Sequence, residues 1–171
     1  MNKEKFKILI VEDDLLIAKY LKMELETLCY EVAISKNGLK AIDYIVYNNS
    51  ECDLILMDIN LGDGIDGFQT AIEINKFKEI PVLFLSASID IHCIDKAQGA
   101  NSYGFLLKHS GVSVISFNIQ SAISQFIQKK KNDEILNEIN EFSNINQLFV
   151  NVTTLFLENS DFRRELITLE A

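Results

Sequence analysis

Leu54-Ile55-Leu56-Met57-Asp58-Ile59-Asn60-Leu61-Gly62-Asp63-Gly64-Ile65-Asp66-Gly67-Phe68 is the stretch that decides the fold. Its first four residues, Leu54 to Met57, are continuously apolar. A short run without alternation suits a central strand covered on both faces. Glycines at 62, 64 and 67 then crowd a loop, and a helix is expected from about Phe68 to Phe77. Strand, loop and helix together make one βα unit.

The same unit recurs on both sides. Upstream, Phe6 to Val11 (FKILIV) reads as the first strand. Asp14 to Leu28 carries apolar residues at Leu15, Leu16, Ala18, Leu21, Leu25 and Leu28, which is helical spacing. Tyr30 to Ile34 is a weaker second strand, Asn37-Gly38 a turn, and Leu39 to Tyr47 a second helix. Downstream, Pro81 leads into the strand Val82 to Leu85. A helix near Asp90 to Gln98 stops at Gly99, Gly104 to Leu107 is the fifth strand, and a fifth helix starts near Gly111 or Val112. Five alternations of strand and helix imply an α/β fold: a three-layer, doubly wound (βα)5 parallel sheet. Right-handed crossovers make the flavodoxin-like order 2-1-3-4-5 the leading topology.

Ligands of such sheets bind beyond the carboxyl ends of the strands, at the switch point between strands 1 and 3. Glu12, Asp13 and Asp14 follow strand 1, Asp58 follows strand 3, Ser86 strand 4 and Lys108 strand 5. Singly, each residue reads as a cap, a solvated turn or a surface charge. Together they put three chemical types on one rim of one sheet. Two like charges about 4 Å apart repel by about 4 kcal/mol at an effective dielectric near 20. Crowded carboxylates therefore raise a pKa or hold a cation. An all-oxygen set without His or Cys favours a hard cation, Mg²⁺ first. Lys108 adds a positive charge and Ser86 a hydroxyl donor. Such a site stabilises a phosphoryl group while a carboxylate attacks it.

At this point the chain resembles a response regulator receiver domain, from about Lys5 to about Lys130. The resemblance rests on ILIVEDD, LILMDINLGDGIDGF, VLFLSAS and GANSYGFLLKH, and Met57 to Phe68 is its most specific part. It implies that Asp58 is the phosphoacceptor and Asp13 the direct ligand of Mg²⁺ (or Mn²⁺). Glu12 would act through a metal-bound water, and Asn60 would offer its backbone carbonyl. Ser86 would donate to a phosphoryl oxygen, and Lys108 would pair with it. Phe105, three residues before Lys108, stands where the family has its switch aromatic; an ordinary core aromatic is a nearly equal reading. A sensor histidine kinase would supply the phosphoryl group, and an unknown downstream protein would receive the signal.

Two departures from the family pattern stand out. Three acids follow strand 1, so the pair could be Asp13-Asp14. Counting from the apolar run favours Glu12-Asp13, with Asp14 capping the next helix. Where the family has Lys-Pro, this chain has Lys108-His109. A cis non-proline bond costs roughly 2.5–4 kcal/mol, so a trans bond is expected there. His109 and His92 are expected to be surface or capping residues.

Length and composition agree. A chain of 171 residues, 48% hydrophobic, has one proline and seven glycines. That suits one domain plus an extension, not two domains or a disordered chain. A net charge of −9 argues against nucleic acid, and the one basic run, Lys129 to Lys131, meets Asp133 and Glu134 at once. Cys29, Cys52 and Cys93 show no metal or redox spacing, so reduced thiols in a cytoplasmic protein are expected. Met1 to Lys7 lacks the apolar segment of a signal peptide, and no run approaches the roughly 20 apolar residues of a membrane span.

We therefore expect a receiver over 1–130 and a helical extension over 131–171. From Asp133 to Ala171 it carries eight acidic residues against Arg163 and Arg164, too acidic and too short for a winged helix. Ile135, Ile139, Phe142, Ile145, Leu148, Phe149, Val152, Leu155 and Phe156 fall at helical steps. Asn and Ser crowd 140–146, Asn144 with Gln147 resembles a cap, and Ser160 or Asp161 could open a short last helix. The fifth helix is thus expected to reach about Phe142, with one or two helices after it. Its apolar stripe could fold back on the receiver or meet a second copy, and a homodimer through these helices is favoured.

A different class, a phosphohydrolase of the haloacid dehalogenase type, also combines Asp, Ser or Thr, Lys and an acidic pair. There the nucleophile follows the first strand as Asp-x-Asp. Here the acidic pair comes first, and Asn60 stands where that motif needs Asp. A receiver that no longer takes phosphate is disfavoured by the intact Asp13, Asp58, Ser86 and Lys108.

Overall fold

Apolar runs and amphipathic stretches fold where their patterns place them. A computed structural model describes residues 5–48, 50–62, 64–88, 97 and 100–169, with side-chain surroundings up to residue 155. In chain order the elements are β1 (Lys7–Val11), α1 (Leu15–Thr27), β2 (Glu31–Ser35), α2 (Gly38–Ile42), β3 (Leu54–Asp58), α3 (Gly67–Asn75), β4 (Val82–Ser86), β5 (Ser102–Leu107) and α4 (Val112–Leu169). The helix expected near Asp90 to Gln98, with His92, Cys93 and Gly99, lies outside the described residues.

All strand pairings are parallel, in the order β2-β1-β3-β4-β5. β3, the quoted LILMD, is buried at every position. Successive strand residues point to opposite faces. Ile8, Ile10, Leu54, Leu56, Leu83 and Leu85 therefore meet α1 and the first turns of α4. Leu9, Val11, Ile55, Met57, Val82 and Phe84 pack on the other face with Ala41 of α2 and Phe68, Ala71 and Ile74 of α3. In α1 the packing stripe is Ala18, Leu21 and Leu25, while Leu15, Leu16 and Leu28 of the expected set are exposed.

Two elements differ from expectation at their ends. α2 is one short α-helical segment that continues as a π-helical segment, Asp43–Tyr47, in place of a uniform helix. β5 begins two residues early. Its register against β4 jumps from Val82↔Ser102 to Leu83↔Gly104, so Tyr103 is the extra residue of a bulge. Gly104 takes φ +148° there, a conformation that side chains resist.

The largest correction concerns the extension. It is not a series of short helices: α4 runs without a break from Val112 to Leu169. The Asn-rich stretch contains neither Gly nor Pro, and Asn in a helix interior costs less than about 1 kcal/mol per residue. Just beyond it, polar side chains bond along the helix instead of capping new ones. Gln147 donates to Asn151 at 3.3 Å, and the hydroxyls of Thr153 and Thr154 donate to the carbonyls of Phe149 and Val150. By contact density the chain forms two compact units, Met1–Phe126 and Ile127–Ala171. No helix among the described residues is long and apolar enough to cross a membrane.

Candidate functional site

The switch point gathers the acids as the strand order requires. Asp58 is the last residue of β3, in register with Leu85, one residue before Ser86. Glu12 follows β1, held by its own N–H donating to the Ser35 carbonyl at 3.1 Å. The carboxylate oxygens of Glu12, Asp13 and Asp58 lie within 4.8 Å of one another. Glu12 and Asp58 are each only 1% exposed, whereas Asp13 is exposed. Asp14 donates its N–H to Glu12 Oε1 at 3.3 Å, but its carboxylate is used elsewhere. It caps α1, accepting from the N–H groups of Leu16 at 2.8 Å and Ile17 at 3.3 Å.

Lys108 joins the two buried acids. Its Nζ donates to Asp58 Oδ2 at 2.6 Å and to Glu12 Oε1 at 2.9 Å. It also lies 2.8 Å from Glu12 Oε2, an ion-pair distance without hydrogen-bond geometry. Oε2 is thus a buried acceptor that makes no hydrogen bond. The backbone fixes the lysine, because Lys108 N–H donates to the Ser86 carbonyl at 2.8 Å. No peptide bond among the described residues is cis, so Lys108-His109 is trans as expected.

Electrostatics follow from this burial. Burial pushes the Glu12 carboxyl up to about 7; the Asp58 charge adds to the rise, and the Lys108 hydrogen bond opposes it. Burial works against the Lys108 ammonium too. Its hydrogen bonds to Asp58 and Glu12, and their charges, outweigh that and raise it above the usual lysine value. A buried oxygen without a hydrogen bond, beside two further carboxylates and no His or Cys, fits a hard divalent cation.

The remaining expected residues lie around this centre. Asn60 is exposed, and its N–H donates to Asp58 Oδ1 at 3.1 Å, which orients the carboxylate. The Ser86 hydroxyl is engaged in a local turn: it donates to the Ser88 carbonyl and accepts from Ser88 N–H at 3.3 Å. Phe105 is half-buried, its ring stacked on Phe84 with centroids 5.5 Å apart and tilted to Phe68 at 6.4 Å.

Glycine supplies what side chains could not. A Cβ on Gly67 would lie 2.1 Å from the Asp58 carbonyl oxygen, so the loop closes on Asp58 only with glycine there. Gly67 N–H also donates to the Ile59 carbonyl at 2.9 Å. Gly62 adopts φ +65°, and its Cβ would sit 3.0 Å from Asp13 Oδ2. The glycine pattern after β3 carried this signal, but not the closeness of the approach.

A doubly wound sheet whose switch point carries buried carboxylates bridged by a lysine defines a class of α/β signalling and phosphoryl-handling proteins. Within that class, residues 8–120 match the response regulator receiver domain, and the chain belongs to that family. Curated relatives include the uncharacterized transcriptional regulatory protein YrkP of Bacillus subtilis, 36% identical over 94 residues, which are 55% of this chain and 38% of that protein. The transcriptional regulatory protein ZraR of Klebsiella oxytoca is 29% identical over 72% of this chain and 28% of its own length. Among solved structures, the N-terminal domain of a response regulator/sensory box/GGDEF 3-domain protein from Carboxydothermus hydrogenoformans is 36% identical. It covers 72% of this chain and 98% of its own, with a TM-score of 0.68. The chain thus spans well under half the length of these curated relatives. Family membership sets the dehalogenase-type alternative aside.

Proposed function

We propose that Asp58 accepts a phosphoryl group from the phosphohistidine of a sensor histidine kinase, and that the resulting switch is read by a protein partner. One observation carries the reading: Lys108 Nζ lies 2.6 Å from Asp58 Oδ2 while three carboxylates converge within 4.8 Å. An Asp58 carboxylate oxygen attacks phosphorus, the nitrogen–phosphorus bond breaks, and the imidazole nitrogen keeps the electron pair. Asp13 would ligate the cation directly, Glu12 through a water, and Asn60 through its carbonyl. Mg²⁺ or Mn²⁺, when bound there, neutralises the acids and screens the incoming charge. Lys108 then shifts its ammonium to the phosphoryl oxygens.

Ser86 leaves its bond to Ser88, donates to the phosphoryl group, and Phe105 moves into the space vacated. The protein works in the cytoplasm and catalyses only its own phosphorylation and dephosphorylation. Residues 1–130 are the receiver and 131–171 a helical output or dimer handle. The test is intact-mass analysis after incubation with Mg²⁺ and acetyl phosphate. A hydroxylamine-labile phosphoryl adduct is expected on the wild type and none on Asp58→Ala. A wild type without the adduct refutes the proposal.

A further inference from the structure

The receiver site leaves unexplained the apolar face of α4 beyond Phe126. Ile135, Ile139, Phe142, Ile145, Phe149 and Val152 follow at steps of three and four, which keep them on one stripe of the helix. Each is at least half exposed, Phe142 at 67% and Phe149 at 75%. Asn137, Asn140, Asn144 and Asn151 fall on the opposite side. Six large apolar side chains exposed along one stripe form the kind of patch that marks an interaction surface.

We infer that this stripe pairs with the same stripe of a second copy of the chain, with Phe142 and Phe149 as the central anchors. The inference deepens the reading of 131–171 as a dimer handle. Three observations select the occupant. First, no charged residue occurs from Phe142 through Leu157. A face that must meet its own copy meets itself across a symmetric interface, where any charge near the axis faces its like. This window carries none. Second, the residues leading into it are Asp133, Glu134, Glu138 and Glu141. A helix lying on an anionic bilayer uses Lys and Arg on its polar face, and a nucleic-acid contact needs the same charges. Here the polar face is Asn and the flank acidic, so both are repelled. Third, the face is long. Ile135 to Val152 is about 26 Å of helix at about 1.5 Å per residue. Helical stability in proteins comes chiefly from packing such a face, and a partner helix supplies that packing.

The test uses the full chain in sedimentation velocity over a dilution series from about 100 μM to below 1 μM. The wild type is expected at twice the monomer mass at the upper end, falling to the monomer on dilution. Phe142→Glu with Phe149→Glu is expected to be monomeric throughout, with weaker helical ellipticity at 222 nm. Asn144→Glu, on the polar side, is expected to dimerise like the wild type. A wild type that stays monomeric, a dimer that survives both glutamates, or a trimer overturns the inference. So does a wild-type monomer that co-sediments with phosphatidylserine vesicles. The phosphoryl adduct on Asp58 is measured on the same samples. Its presence in a protein that does not dimerise separates failure of this inference from failure of the receiver reading.

Discussion

Lys108→Met isolates the electrostatics of the site. The substitution keeps an apolar stem of similar length and removes the ammonium that bridges Glu12 and Asp58 at 2.9 Å and 2.6 Å. Two carboxylates, each 1% exposed, then face each other within 4.8 Å without a cation. At an effective dielectric near 20, unit charges at that separation repel by about 3.5 kcal/mol. Removing one partner of a buried pair costs about 3–5 kcal/mol when nothing relaxes. Glu12 can relax by taking a proton, since burial already holds its carboxyl near 7. That escape limits the expected loss at about pH 8 to roughly 2–3 kcal/mol, or about 4–12 °C in Tm. Calorimetry in EDTA at about pH 8 measures it. The deficit should shrink at about pH 5, where Glu12 is protonated, and on adding Mg²⁺, which replaces the missing charge. A variant whose Tm matches the wild type in EDTA at about pH 8, and responds no more strongly to Mg²⁺, would show that the buried acids do not need the lysine.

Three further outcomes follow from the same geometry. Glu12 has a folded pKa of about 7 against an ordinary value of 4.5, so its contribution to apo stability is full below 4.5 and is lost as pH rises through 7. Mg²⁺ affinity should run the other way, weakening about tenfold per unit below pH 7, and titration calorimetry on Glu12→Gln should find that dependence gone. Gly67→Ala forces a Cβ to 2.1 Å from the Asp58 carbonyl oxygen; chemical denaturation should show a loss of at least about 1–3 kcal/mol, and acetyl phosphate labelling should slow. Burial pushes the Cys52 thiol up to about 12 while Cys29 is exposed, so a thiol reagent should label Cys29 in the native protein and Cys52 only after unfolding, read by peptide mass.

How far the residues alone reach is decided by which interactions are local. The strands were legible because β1, β3 and β4 are buried on both faces, which demands continuous apolar runs whatever surrounds them. The rim was legible for a related reason: strand order fixes which strand ends meet, so Glu12, Asp58 and Lys108 meet and Ser86 ends the strand beside Asp58. What the residues do not specify is pairing within the rim. Lys108 contacting both acids and Ser86 turning to Ser88 depend on side-chain distances that no spacing encodes. Gly67 was visible as a glycine, but its close approach to Asp58 is a tertiary fact. The extension fails in the opposite sense. Asn144 and Gln147 carry the signature of a helix start, yet a start also needs the preceding helix to stop. Without Gly or Pro in 140–146, stopping would break hydrogen bonds that continuing keeps, and so α4 passes through. Capping residues therefore mark where a helix can begin, and only a breaker marks where one must end. Applied to 127–155, that rule makes the apolar stripe one continuous face rather than several short ones, and a continuous face is what a partner helix can cover along its length.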